Sequence, residues 1–419
     1  MHPDEMTEQN ETEGGSGASN GNLSAAKKGK NDEFYTQWVD IEREINAYLE
    51  FDPDVFRDKI LLLPCDDPEW SHFTKFFALH FADYGLKKLI STSYAPESNL
   101  DGAFYTPTLF ETQHPDYDET KSMEKGRVFT LTREDISGDG RIDIDDLRWE
   151  YLPDDGDFRG KSVTALRDES DFVITNPPFS LFRDFIKWIF AGGKKCSVIG
   201  NVNAITYKEV FPLIQGNELW LGPTITSGDR EFRVPESYPL RAAGSRVDED
   251  GNKFIQVKGV RWFTNIEHGR RHQPLKLMSM SDNRKFSKHE KIRDGGYPKY
   301  DNYDAIEVGY VDAIPSDFSE VMGVPITFLD KYNPDQFEIL GATQRGCHEL
   351  VPDTKKYDDY REMRQDGSPT GSSGGKTNEN ANLVMNDGRK NYFVNDAGHV
   401  VQSAYQRIFI RHRKQETEE

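Results

Sequence analysis

Apolar residues along this chain fall alternately into short runs and helical stripes. Ile41, Ile45, Tyr48 and Leu49 keep helical spacing until Phe51-Asp52-Pro53 ends the pattern. Lys59 to Leu63 (KILLL) is a short apolar run stopped by Pro64-Cys65-Asp66-Asp67-Pro68. Such a run suits a strand buried on both faces of a parallel sheet. A helical stripe over Phe73–Tyr84 and a strand over Lys88–Ser93 complete a right-handed βαβ unit. The pattern returns with a strand at Asp171–Thr175 and a helix at Leu181–Phe190, then Gly192-Gly193 and a strand at Cys196–Gly200. A helix over Tyr207–Ile214 and a strand over Glu218–Leu221 follow. This tempo predicts an open α/β sheet with helices on both faces. Beyond Gly222 the rhythm loosens. Val257–Thr264 (VKGVRWFT) reads as one strand and Tyr405–Arg411 (YQRIFIR) as a last one.

Composition changes this picture at the ends. Apolar residues make up 36% of the 419 residues, few enough to imply disordered stretches within a chain long enough for two or three domains. Met1 to about Lys30 is rich in Gly, Ser, Asn and Glu and reads as a disordered tail. Asp366–Ala381 (DGSPTGSSGGKTNENA) reads as a flexible insert. The net charge of -20 excludes a basic nucleic-acid coat protein, though not a local basic face. No apolar run approaches a membrane span, and the N-terminus lacks the pattern of a signal peptide. Cys65, Cys196 and Cys347 lie far apart without a CxxC pair, which argues against a disulfide framework and a zinc ribbon. The expectation is a soluble, cytoplasmic, reduced protein with no metal site.

One tetrapeptide carries chemistry. Asn176-Pro177-Pro178-Phe179 follows directly on the strand ending at Thr175. In an open α/β sheet, ligands bind outside the carboxyl ends of the strands. Two prolines fix two φ angles and remove two N–H donors, so the corner presents carbonyls. Asn176 adds an acceptor oxygen, and Phe179 a flat apolar face. Acceptors beside an aromatic plane fit a planar ring with an exocyclic amine, which the ring face would stack. The bland alternative is a rigid turn whose Asn caps the next helix.

Here the sequence resembles a known family. Asn-Pro-Pro-aromatic is the catalytic motif of S-adenosylmethionine-dependent amino-methyltransferases. The run DFVITNPPFSLFRDFIKWI…VIGNVNAITYKEVFPLI…LWLG is similar to EcoRI-type adenine-specific DNA methyltransferases, as are NDEFYTQ, LLLPCDDPEWSHFTKFFALHF and GVPITFLDKYNPDQFEILG. The resemblance runs from Asn31 to Ile410. It implies a Rossmann-like methyltransferase sheet at 31–265 and a target-recognition and C-terminal region at 266–419. It further implies N6-methylation of a flipped-out adenine in double-stranded DNA, by a monomer, within a restriction-modification setting. The corner would equally serve another amine, such as cytosine N4, an RNA adenine or a protein glutamine, and an inactive DNA-binding relative would keep it.

By the same resemblance, Asn176, Pro177, Pro178 and Phe179 form the catalytic loop. Phe34, Tyr35 and Thr36 fold over the methionine part of S-adenosylmethionine, although Thr36 is equally placed to cap the first helix. Asp66 and Asp67 replace the usual Gly-rich turn and would accept from the cofactor's ammonium or ribose hydroxyls, with Cys65 packing beside them. Asp157 and Phe158 match the position that holds the cofactor's adenine.

Between Lys253 and Lys299 there are twelve Lys or Arg against four Asp or Glu. Arg and Lys contact phosphates and read guanine edges. Arg261, Arg270, Arg271, Lys276, Arg284, Lys285 and Lys288 are therefore the candidate DNA-side residues. A solvated surface strip is the bland reading of the same run.

Overall fold

The computed structural model describes residues 35–67, 71–95, 112, 117–135, 148–234, 240, 244–343, 355–372, 380–385, 391–404 and 406–414. Its centre is a mixed eight-stranded sheet. Helix α1 (Trp38–Phe51) leads into β1 (Ile60–Leu63), α2 (His72–Leu79) and β2 (Lys88–Ser93). The short α3 (Glu119–Ser122) precedes β3 (Arg127–Thr132) and β4 (Arg148–Tyr151). Then follow α4 (Lys161–Glu169), β5 (Phe172–Thr175), α5 (Phe182–Ala191) and β6 (Lys195–Asn201). The sheet closes with α6 (Phe211–Gln215), β7 (Trp220–Leu221) and, after an excursion, β11 (Val260–Thr264). The strand order is β4-β3-β2-β1-β5-β6-β11-β7.

Strands β2, β1, β5 and β6 run parallel, as the alternating pattern predicts. Side chains alternate between the two faces of a strand, and β1 shows why its run had to be continuous. Leu61 and Leu63 enter one core with Phe172 and Ile174, under α1 and α2. Leu62 enters the other with Val173, under α5 and α6. Strands β3 and β4 add on antiparallel beyond β2, and β11 inserts antiparallel between β6 and β7.

Helix α1 buries Ile41, Ile45 and Tyr48, and with them Glu44. Its N-cap position is Gln37, which makes no side-chain cap, so Thr36 does not cap it. The Glu44 carboxylate accepts from the Tyr48 hydroxyl at 2.7 Å and from the Thr224 amide and hydroxyl. Tyr48 in turn shares a hydrogen bond with Ser197 on β6. Burial pushes the Glu44 carboxyl up to about 7, against the lowering effect of these hydrogen bonds.

Three predicted elements differ. The helix expected over 207–214 starts only at Phe211, as α6, because Pro212 has no amide to donate and is accommodated only in a first turn. The strand expected over 257–264 breaks at Gly259, whose φ of +69° turns the chain from β10 (Lys253–Lys258) into β11. Strand β10 belongs to a separate sheet with β8 (Asp229–Val234) and β9 (Arg246–Val247). Within the expected insert, Asp366 and Ser368 form a turn, with Ser368 N on Asp366 Oδ1 at 2.8 Å and Thr370 N on Glu362 O at 2.9 Å. Residues 373–379, the tail up to residue 34 and Cys347 lie outside the described residues.

The remaining chain adds α7 (Met280–Phe286), α8 (Glu290–Gly295) and a sheet of β12 (Ile306–Glu307), β13 (Met322–Pro325), β14 (Phe337–Ala342) and β19 (Arg407–His412). Strand β19 is the last strand anticipated from the sequence. Met322, Ile408 and Ile410 join the core that holds Phe182 and Phe211, so this sheet packs on the α5–α6 face. A smaller sheet joins β15 (Arg361–Arg364), β16 (Asn382–Val384), β17 (Asn391–Val394) and β18 (Val400–Ser403). Among the described residues no helix is long and apolar enough to cross a membrane.

Candidate active site

The parallel register of β1 and β5 brings two loops to one edge of the sheet. The Thr175 hydroxyl, at the end of β5, donates to the Pro64 carbonyl at 2.7 Å. Asn176 therefore leaves the sheet beside Cys65 and Asp66. Pro178 is extended, and its carbonyl accepts from Leu181 N at 2.9 Å, closing a 3-10 turn over Phe179–Leu181 that feeds α5. The Pro177 carbonyl takes no part in that turn. Asn176 is half-buried, Pro177 and Phe179 buried. The corner is thus rigid, and its aromatic is hidden from bulk water.

Phe179 meets Phe232 of β8 edge-on. The next residue on β8, Arg233, forms a two-way backbone bridge with Tyr35, with N···O distances of 2.9 and 3.2 Å. Thr36 then turns inward, and its carbonyl bonds His72 Nδ1 at 2.9 Å. The Thr36 side chain is buried, and its hydroxyl finds no partner among the described residues. Buried hydroxyls are normally paired, so this one marks a place where a ligand's polar group would fit. Phe34 lies outside the described residues.

The turn after β1 is built from its own polar groups. Cys65 adopts φ +60°, a left-handed conformation that costs a side-chain-bearing residue energy and clusters at functional sites. Asp66 N donates to Thr92 O at 2.8 Å. The Asp66 carboxylate accepts from the hydroxyls of Ser71 and Thr74 and from Thr74 N at 3.0 Å, holding the start of α2. Burial pushes this carboxyl up to about 7, and the neighbouring Asp67 charge adds to the rise. Asp67 receives the Arg127 guanidinium at 2.6 Å, and Arg127 also bonds Ser93 Oγ. Arg127, at the start of β3, escaped the sequence reading because only tertiary pairing places it here.

The loop before α4 crosses the end of β2. Ala95 N donates to Asp155 O at 2.8 Å, and Gly156 lies so near Ser93 O that a Cβ would come within 2.5 Å of it. Asp157 follows, its carboxylate gripped by Arg159 at 2.6 and 2.9 Å and held below the usual range by that contact. Phe158 is core, its ring edge-on to Phe185 and Trp188 of α5. Tyr35, Thr36, Cys65–Asp67 and Asp157 thus ring the carboxyl edge that Asn176 also occupies. Among the described residues no group of three or more His, Cys, Asp or Glu could hold a metal ion.

The family described as Adenine-specific methyltransferase EcoRI matches residues 22–413. The chain belongs to that family. It is 41% identical to the Type II methyltransferase M.EcoRI of Escherichia coli over 323 residues, 77% of this chain and 89% of that protein. It is 34% identical to the Type II methyltransferase M.MpnI of Mycoplasma pneumoniae over 317 residues, 75% and 83% of the two chains. No solved structure matches it.

The seven basic candidates separate into distinct surroundings. Arg261 on β11 is buried, with Asp330 at 2.9 Å and the Thr226 carbonyl at 2.6 Å. Arg271 is also buried, its guanidinium 3.6 Å from the Trp220 ring centre and 2.8 Å from Asn217 Oδ1. Strand β11 runs antiparallel to β6, with Thr264 opposite Ser197. The segment from 265 therefore leaves the sheet at the edge opposite Asn176, and Arg270 and Arg271 go with it. Arg270 donates to the Pro223 carbonyl at 2.5 Å. Arg270, Lys276, Lys331 and Asp312 line a groove of about 290 Å³. Arg284, Lys285 and Lys288 stand exposed on α7 and the turn after it.

Proposed function

We propose that this protein is a sequence-specific DNA methyltransferase that transfers the methyl group of S-adenosylmethionine to adenine N6. The observation that carries the reading is the clasp of Thr175 on Pro64. It sets the Asn-Pro-Pro-Phe corner beside the β1 turn in a chain of an adenine-specific methyltransferase family. The sheet, with β11 antiparallel between β6 and β7, is read as Rossmann-like. Residues 31–265 form the catalytic domain and 266–419 the target-recognition and C-terminal region.

The Asn176 side-chain oxygen and the Pro177 carbonyl accept the two N–H bonds of the adenine amine. Held there, the nitrogen lone pair turns out of conjugation with the ring and becomes nucleophilic. Phe179 stacks the ring, a contact worth about 1–3 kcal/mol. Edge-on support from Phe232 keeps that ring in one orientation. A base inside a duplex cannot reach this corner, so the adenine is flipped out at a cost of a few kcal/mol.

S-adenosylmethionine supplies an electrophilic methyl group on a sulfonium when bound. Tyr35 and Thr36 wall one side of its site, and the Thr36 hydroxyl gains the partner it lacks among the described residues. Cys65 and Asp67 line the turn, Asp66 holds that turn through Ser71 and Thr74, and Asp157 bounds the far side. The partner is double-stranded DNA, bound by a monomer.

Incubation of the protein with methyl-labelled cofactor and DNA, RNA or protein tests the reading. Label in DNA, recovered as N6-methyladenine, is the expected result. Label only in RNA or protein, or as a cytosine product, overturns it.

A further inference from the structure

Phe286 is the most exposed large apolar side chain among the described residues, at 71%. It ends α7, and the helix does not leave it outside by accident of flexibility. The elbow between α7 and α8 is braced at several points. Asn283 is buried and donates toward the Met278 and Ala313 carbonyls at 3.3 and 3.4 Å. Ser279 caps α7 through Asp282 N at 3.0 Å. Arg293 donates to the Ser287 carbonyl at 2.6 Å. His289 stacks on Tyr310 with ring centres 3.6 Å apart and planes 5° from parallel, and its Nε2 meets Asp312 at 2.8 Å. Ile292 is buried beneath. A rigid elbow presents the ring.

Charge surrounds it. Residues 280–295, which make up α7, the turn and α8, carry five Lys or Arg against three Asp or Glu, a local positive balance within a chain of net charge -20. Arg284, Lys285 and Lys291 are exposed and form no ion pair among the described residues. Lys288 reaches Asp312 at 2.7 Å but keeps its side chain 75% exposed. An exposed aromatic face among exposed cations on the same elbow, in a molecule of negative net charge, matches a polyanion whose interior offers flat apolar surfaces. Nucleic acid is that chemistry: phosphates for the cations, a base for the ring. Aromatic and aliphatic side chains inserted between base steps are a known way of prising a duplex open.

From this geometry we infer that the α7–α8 elbow is a duplex-DNA contact in which Phe286 stacks on an unstacked base while Arg284, Lys285 and Lys291 hold the flanking phosphates. The inference rests on the DNA-methylation reading and deepens it, adding a residue that helps to deform the duplex from which the adenine leaves.

The test uses the full-length protein with plasmid DNA and S-adenosylmethionine. Phe286→Ala is expected to raise KM for DNA about tenfold, the worth of one stacked base, with KM for the cofactor and the melting temperature unchanged. Phe286→Trp is expected to keep wild-type KM. Lys285→Gln is expected to weaken duplex binding and lower the slope of log affinity on log salt by about one, whereas Phe286→Ala leaves that slope as it is. An unchanged KM for DNA in Phe286→Ala overturns the inference. So does a loss of binding to anionic lipid vesicles in that variant with duplex affinity intact, which assigns the elbow to a membrane surface. If the wild-type protein methylates no DNA, the functional reading fails by itself. Direct duplex binding by wild type and Phe286→Ala still decides the inference, equal affinities overturning it.

Discussion

The rings of Phe179 and Phe232 stand edge to face, centres 6.4 Å apart and planes at 90°. Phe179 belongs to the Asn-Pro-Pro-Phe corner. Phe232 belongs to a strand whose next residue is bonded, backbone to backbone, to Tyr35. The proposed base-stacking ring and the proposed cofactor wall at Tyr35 therefore both rest on one strand, β8. An edge-on aromatic pair is worth about 0.5–1.5 kcal/mol beyond its buried area. Phe232→Leu is accordingly expected to cost about 1 kcal/mol of stability and to raise KM for DNA. Because the Tyr35 bridge uses only backbone atoms, cofactor affinity should stay constant. Calorimetric titration with S-adenosylmethionine, beside steady-state kinetics, checks both halves.

Asn176→Ala removes a side-chain acceptor and leaves the Thr175 clasp and both prolines untouched. Methyl transfer is expected to fall by at least about 100-fold, the scale on which a single positioned polar group acts on a reacting centre. Circular dichroism and melting should match wild type. Retained activity in a scintillation assay ends the assigned role.

Thr36→Val deletes a buried hydroxyl that has no partner among the described residues. Removing such a group does not break a protein hydrogen bond, so stability should hold or rise slightly. Cofactor affinity should drop by about three- to tenfold, one hydrogen bond's worth. A fall in melting temperature with unchanged cofactor affinity would show the hydroxyl to be structural.

Glu44 and Asp66 are both pushed up to about 7 by burial. A carboxyl whose folded value exceeds its unfolded one binds more protons in the folded state between the two values. These groups therefore make the fold less stable as pH rises from about 4 to about 7, and add no further slope above that. Glu44→Gln is expected to flatten part of this fall, and to be more stable relative to wild type at pH 8 than at pH 5. Urea denaturation at the two pH values measures it.

Arg261 and Lys285 should separate cleanly. Arg261→Met leaves Asp330 buried without its cation, a loss of about 3–5 kcal/mol, with the salt dependence of DNA binding unchanged. Lys285 is exposed, so Lys285→Gln should leave melting alone and lower that salt dependence. A lowered salt slope in Arg261→Met would return Arg261 to the DNA surface.

Much of this was legible in the chain itself. The run at Lys59–Leu63 read as a doubly buried strand, and that at Asp171–Thr175 as a strand, because a parallel sheet covered on both faces leaves no room for polar alternation. Asn176 to Phe179 read as a reacting corner because two prolines, an amide and a ring declare their chemistry wherever the backbone puts them. Local rules also placed the turn at Cys65–Asp67, but not its inner wiring. Asp66 turned out to serve Ser71 and Thr74, and Asp67 to serve Arg127 from a strand some sixty residues on. The basic run looked uniform in sequence. Folding buried Arg261 and Arg271 and sent the segment after Thr264 to the edge away from Asn176.

Periodicity and side-chain chemistry are properties of neighbours along the chain, so the sequence alone marked helices α1, α2 and α5 and the buried strands β1 and β5, and singled out the Asn-Pro-Pro-Phe corner. Register and strand direction arise from hydrogen bonding between segments far apart, where shifting or reversing one strand moves every charge on its flanking loops. Only the tertiary structure could decide that Phe232 meets Phe179, that the Thr36 hydroxyl is buried with no partner among the described residues, and which arginines are buried. The physical reason is that burial and pairing are set jointly by both partners, and in contacts such as Phe179 with Phe232 or Arg261 with Asp330 those partners lie far apart along the chain.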